Sequence, residues 1–189
     1  MGGGEGEGEV CAGGGGGRRG LDGGDRAWKN VSVVDKANLG NKVLKDINIE
    51  IKGGKMTALV GHSGSGKSTL LNMIPRIYDP GSGKIEIDNQ DIKEVNLASL
   101  REQISIVDQN TTLFDDTIFN NIKYAKPHAS DQEIYNAAKL SMCENFINKL
   151  PNGFNTIIGE NGTRLSGGEK QRLSIARAFL KDSKIILLD

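Results

Sequence analysis

Apolar and polar residues alternate through "KVLKDINIEIKGG" (residues 42–54), with Ile47, Ile49 and Ile51 on one side of the backbone. That period of two predicts a half-buried strand closing in a Gly-Gly turn. "MTALVG" (56–61) is apolar without a polar face, as in a strand covered on both sides. Glycines and serines follow, and then "KSTLLNMI" begins a helix. "KIEIDNQDI" (84–92) alternates again, and "ISIVDQ" (104–109) reads as a second buried strand. Over residues 131–150, Ile134, Ala137, Ala138, Leu140 and Phe146 recur at helical spacing, with Ser130 or Asp131 placed to cap the start. "SGGEKQRLSIARAFLKD" carries a stripe of Leu173, Ala176, Phe179 and Leu180, and "IILL" (185–188) is a last strand that delivers Asp189. Buried strands alternating with helices predict an α/β fold whose parallel sheet is joined by crossover helices. The chain shows no internal repeat.

Composition changes this picture mainly at the start. Of the 26 glycines, 13 fall within residues 1–25, a stretch without an aromatic side chain. Such a segment buries too little apolar surface to offset its ordering entropy, so residues 1–27 are expected to be disordered, with the folded part starting near Trp28. The 189 residues suit one α/β domain. Lysine plus arginine (24) balances aspartate plus glutamate (24), so no global field favours nucleic acid or an anionic membrane surface. No apolar run approaches the roughly 18 residues that span a bilayer, and nothing near Met1 reads as a signal peptide. Cys11 and Cys143 lie far apart, in no ligand spacing.

"GHSGSGKST" (61–69) fits G-x-x-x-x-G-K-[ST], with Gly61, Gly66, Lys67 and Ser68 at the fixed positions and His62, Ser63, Gly64, Ser65 and Thr69 completing the stretch. Glycines let a backbone curl around phosphate oxygens, and a following helix brings its positive end to the same spot. Lys67 adds a full charge and the Ser68 hydroxyl can ligate Mg²⁺. A buried strand before and a helix after are the context this motif requires, which predicts a nucleotide site. His62 and His128 read as loop fillers.

"LSGGEKQR" (165–172) offers a second helix start, with Ser166 at the cap and two glycines exposing backbone N–H groups. An ordinary capped helix after a loop accounts for it equally well on physical grounds. One nucleotide rarely needs two such helix ends, unless the second serves a nucleotide held by another copy.

Taken together and in this order, "GHSGSGKST", Asp108-Gln109, "LSGGEKQR" and "IILLD" resemble the nucleotide-binding domain of ATP-binding cassette (ABC) transporters over residues 28–189. "TLFDDTIFNNI" after Gln109 and "NGFNTIIGENG", centred on Glu160, resemble the exporter type. The resemblance implies a P-loop NTPase with a RecA-like parallel sheet, an antiparallel β subdomain and a helical subdomain over about 110–170. It implies that Gly61–Thr69 hold the phosphates of ATP, with Lys67 meeting the transition-state charge. Gln109 would approach Mg²⁺ and the attacking water and sense the membrane domain. Leu165, Ser166, Gly167, Gly168 and Glu169 would close over the ATP of an opposing subunit. Ser68, Gln109 and Asp189 would order Mg²⁺. The implied partners are a second cassette domain and a transmembrane domain, with the cassette on the cytoplasmic face and no nucleic acid involved.

Three departures from the family pattern bear on these expectations. "NVSVVDKAN" puts Val33, Val34 and Asp35 where members carry an adenine-stacking aromatic. Stacking contributes about 1–3 kcal/mol, so weaker ATP binding is expected, with Trp28 read as a half-buried anchor. The family's catalytic glutamate would follow Asp189, and so would a strand inserted between strands 56–60 and 185–188. The chain is therefore expected to be a truncated cassette whose own turnover is in question. A soluble cassette ATPase acting on DNA or ribosomes is disfavoured, since neither heptads nor a second phosphate loop is present. A nucleotide-binding module without turnover is the other alternative, and phosphate release separates it from the leading reading.

Overall fold

The computed structural model describes the backbone of residues 10–11, 26–34 and 42–189. The chain divides into two units, Met1–Arg101 and Glu102–Asp189.

The first unit is built on β2 (Arg26–Val34), β3 (Lys42–Ile51), β5 (Ser82–Ile87) and β6 (Gln90–Asp91), an antiparallel sheet in the order β3-β2-β5-β6. β2 pairs with β3 from Arg26↔Ile51 to Val34↔Lys42, and irregularities after Trp28, Val31 and Val33 shift its register. The alternation read over 42–51 is realised, since Ile47, Ile49 and Ile51 are half-buried while Asn48 and Glu50 are exposed. The single strand expected over 84–92 is instead a hairpin. Asp88 (φ 51) and Asn89 (φ 61) both sit in the left-handed region, as a two-residue turn of type I′ requires. Aspartate and asparagine tolerate that conformation better than other residues with a Cβ.

β4 (Ala58–Leu59) is shorter than "MTALVG" suggests and pairs antiparallel with β1 (Val10–Cys11), through Val10↔Leu59 and Cys11↔Ala58. Met56 (81% exposed) and Val60 (59%) flank it in the open. The expectation of a strand covered on both sides is corrected here, because Ala58 is exposed and Leu59 only half-buried. The disordered segment expected through residue 27 gives way at Val10–Cys11 and at Arg26, where β2 starts two residues before Trp28. Its remaining residues lie outside those described, as do Asp35 and the Trp28 side chain. Helix α1 (Lys67–Met73) follows the loop after β4, anchored by buried Leu70 and Met73. Helix α2 (Leu97–Glu102) was not legible as a period, but Asn96 starts it, its Oδ1 accepting from Ala98 N and Ser99 N.

The second unit pairs β7 (Ile104–Val107) parallel with β8 (Ile185–Leu188) and surrounds a helical core. Helices α3 (Ile118–Lys123), α4 (Asp131–Leu140), α5 (Glu144–Ile147) and α6 (Gly167–Lys181) bury Ile118, Ile122, Ile134, Ile147 and Leu173 completely. Ser130 caps α4 in a reciprocal capping box with Glu133. The single helix expected over 131–150 breaks at Met142 (φ 59), where Cys143 N donates to Ala138 O and Met142 N to Lys139 O. That is a Schellman stop with methionine in the left-handed position usually given to glycine. The stop leaves Leu140 half-exposed (49%), whereas the single-period reading placed it in the core stripe.

Candidate functional site

In the first unit, the phosphate-loop residues Gly61–Thr69 run from β4 into α1. Gly64 (φ 81) and Gly66 (φ 89) take left-handed conformations, and Gly66 is the N-cap of α1. A Cβ at such an angle is strained by about 1 kcal/mol or more, so glycine is required for the curl itself. The Lys67 ammonium folds back across the curl, donating to Gly61 O at 2.9 Å and His62 O at 2.8 Å. Ser65 N donates to His62 O at 3.2 Å, tightening the turn. The loop from Gly61 to Ser65 is exposed, as is Ser68. A curled, open backbone with one fixed cation and hydroxyls fits a polyphosphate.

In the second unit, parallel register carries β7 and β8 to a common end. Val107 pairs with Leu188, and Asp189 N donates to Val107 O at 3.0 Å. Asp108, Gln109 and Asp189 therefore leave the sheet together at the carboxyl ends of the strands, where open α/β sheets bind ligands. Both Gln109 and Asp189 are exposed. Asp108 Oδ1 accepts from Asn110 N, so its own carboxylate turns back to start the loop. An amide oxygen and a carboxylate leaving one sheet edge are hard oxygen donors of the kind Mg²⁺ accepts. Among the described residues, no group of three or more His, Cys, Asp or Glu could hold a metal.

The segment Leu165–Glu169 starts α6. Leu165 is buried in the helical core and anchors the turn. Ser166 N and Ser166 Oγ both donate to Glu169 Oε2, at 2.8 and 2.6 Å. The Ser166 hydrogen bond, together with the backbone one, holds the Glu169 carboxyl below the usual range. Gly167 and Gly168 are exposed, and a Cβ at either would meet nothing closer than Arg172 Nη1 at 3.8 Å from Gly168. The chain's own packing makes no demand for glycine there.

Sequence reasoning passed over Arg177 and Asn121. Asn121 is fully buried (0% exposed) on α3. Arg177 on α6 donates from Nε to Asn121 O (2.7 Å), from Nη1 to Thr112 O (2.6 Å) and from Nη2 to Asn121 Oδ1 (2.7 Å). Burial pushes the guanidinium pKa down. The available signal was an arginine set beside the apolar stripe of a core helix. Glu160, the centre of the other segment singled out, is exposed in a 3-10 turn (Glu160–Gly162).

Residues 44–189 match the family model described as ABC transporter. The chain is 55% identical over 147 residues to the heavy metal tolerance protein of Schizosaccharomyces pombe, covering 78% of this chain and 18% of that protein. It is 50% identical over 150 residues to the ATP-dependent lipid A-core flippase of Legionella pneumophila (strain Lens), covering 79% of this chain and 26% of that one. Among solved structures, a bacterial Atm1-family ABC exporter with ATP bound is similar at a TM-score of 0.84 and 41% identity, over 90% of this chain and 30% of that one. The chain thus spans about a quarter or less of these curated relatives.

Proposed function

Because this chain belongs to the ABC transporter family, we propose that it is the ATP-binding part of an exporter-type ATPase. In this reading Gly61–Thr69 cradle the phosphates of ATP, and Lys67 exchanges its bonds to Gly61 O and His62 O for phosphate oxygens. Ser68 from the first unit and Gln109 and Asp189 from the second would hold Mg²⁺, which would draw charge from the phosphate oxygens. Lys67 supplies further positive charge where the transition state needs it, since phosphoryl transfer rests on positioning and electrostatics. Gln109 orders the attacking water. Hydrolysis in the whole protein powers export through a transmembrane domain, with this part on the cytoplasmic face.

The observation that carries the reading is the phosphate loop, with two left-handed glycines and the Lys67 ammonium spanning the curl. Likeness to an exporter with ATP bound supports the same choice of nucleotide. The Leu165–Glu169 segment supports a partner. Glycines that their own chain does not require are free to let another molecule approach, here the ATP of a second cassette domain. Among the described residues no helix is long and apolar enough to cross a membrane.

A thermal-shift titration with Mg-ATP beside Lys67→Ala tests the reading. Stabilisation that grows with ATP and vanishes in Lys67→Ala is expected. A folded chain that melts cooperatively and ignores Mg-ATP would overturn it.

A further inference from the structure

The loop after Gln109 is tied down by three separate elements. Thr112 O accepts from Arg177 Nη1 on α6, and Leu113 O accepts from Asn161 N at 3.1 Å. Phe114 N donates to Asn121 Oδ1 and Phe114 O accepts from Asn121 Nδ2, both at 3.0 Å. Asp116 O accepts from Ile158 N at 3.2 Å, and Thr117 O from Asn121 Nδ2 at 2.9 Å. The Arg177 guanidinium also lies 5.6 Å from the Phe114 ring centre. Asn121 is the shared node, because its one side-chain oxygen serves both Phe114 N and Arg177 Nη2.

Arg177 gives all three of these bonds to uncharged oxygens, so they form no ion pair that salt would screen. A guanidinium reaches several acceptors at fixed angles in a way no other side chain can. Charge-assisted bonds of this kind, partly withdrawn from water, are stronger than neutral ones. The other end of the link is helical. Arg177 lies eleven residues beyond Ser166 on α6, about 16 Å along a rigid helix axis.

We propose that Arg177 and Asn121 are positioning residues that make the Gln109 loop and helix α6 one mechanical body. A displacement at residues 112–117 then reaches Ser166–Glu169 as a movement of the whole helix. The functional meaning rests on the nucleotide reading above, in which Gln109 and Ser166 serve two different ATP molecules. The link would let the state of one site set the posture of the segment offered to the other. The linkage itself stands on the hydrogen bonds.

Native-state hydrogen exchange on the 189-residue chain, followed against urea, tests it. The amide of Phe114 and those of Leu173–Leu180 should open together in the wild type, with the same urea dependence. In Arg177→Met the Phe114 amide should exchange roughly tenfold or more faster relative to α6, the effect of losing hydrogen bonds to a charged group. Arg177→Lys should separate them too, by less, since one ammonium cannot bridge three acceptors. If Arg177→Met does not fold, the lysine variant decides. An unchanged ratio in both variants overturns the proposal, as does a wild-type loop that opens independently of α6. Uniform acceleration that includes the α4 amides also overturns it, because that is what a merely structural role produces. Mg-ATP is added as a separate arm and read at residues 61–69. No protection there, with the separation still seen, would refute the nucleotide reading and leave the link intact.

Discussion

Glu169 holds Ser166 through two donors at once, its Oε2 accepting from the Ser166 amide at 2.8 Å and from the hydroxyl at 2.6 Å. The first turn of α6 is therefore fastened by an ionised carboxylate. Those bonds favour the charged form and lower the Glu169 pKa. With a folded value below the unfolded one, the contribution is in full force above the ordinary carboxylate range. It is lost as the pH falls through the folded value. Glu169→Gln should flatten the acid limb of the melting temperature against pH relative to wild type. At neutral pH it should cost only roughly 0.3–1 kcal/mol, the share of the charge, because glutamine at this position keeps a capping-box oxygen. Parallel acid limbs in the two proteins would refute the latch.

The two glycines beside that latch make a different prediction. Alanine at Gly167 or Gly168 meets no atom of the chain closer than 3.8 Å. Its effect on urea stability should stay within about 0.5 kcal/mol. Mg-ATP-dependent self-association, measured by sedimentation, should nevertheless be lost, because the added methyl blocks the approach of a partner's nucleotide. Variants that self-associate like wild type would remove the argument for a second cassette domain at this surface.

Local pattern made much of this legible. The 61–69 motif, the stripe of α6 and the apolar run before Asp189 are each set by neighbours in sequence, and each stands where expected. What stayed hidden depends on partners far along the chain. Residues 56–60 have a strand's composition, yet the strand extends only over Ala58–Leu59, since sheet length follows from neighbours rather than from hydrophobicity. The break at Met142 defies residue preference and is stabilised by Cys143 N reaching Ala138 O. Arg177 and Asn121 are 56 residues apart, and no periodicity within either helix announces their contact.

Within the phosphate loop, Gly61 is needed for room rather than for a positive φ. A Cβ there would lie 2.7 Å from Ser65 Oγ. Gly61→Ala should force Ser65 off its rotamer at roughly 0.5–1.5 kcal/mol, hence a few-fold to about tenfold weaker Mg-ATP binding. Ser65→Ala removes the clashing oxygen, so Gly61→Ala combined with Ser65→Ala should bind more tightly than Gly61→Ala alone. Calorimetric titration of the four proteins gives the coupling. Additive losses would show that Gly61 matters for another reason.

Gly162 combines both constraints. Its φ is 63, and a Cβ would come within 2.7 Å of Leu113 Cδ1, a core side chain only 2% exposed. Leu113 cannot swing into solvent, so Gly162→Ala must displace packed side chains as well as accept a left-handed backbone. The two effects together predict a loss of roughly 2–4 kcal/mol in urea unfolding. Leu113→Ala opens the space while leaving a cavity. The Gly162→Ala, Leu113→Ala pair should then be less destabilised than the sum of its single changes, as contacting residues are when one relieves the other. A strictly additive pair would mean that the backbone angle alone demands glycine, and that Leu113 does not constrain the turn carrying Glu160.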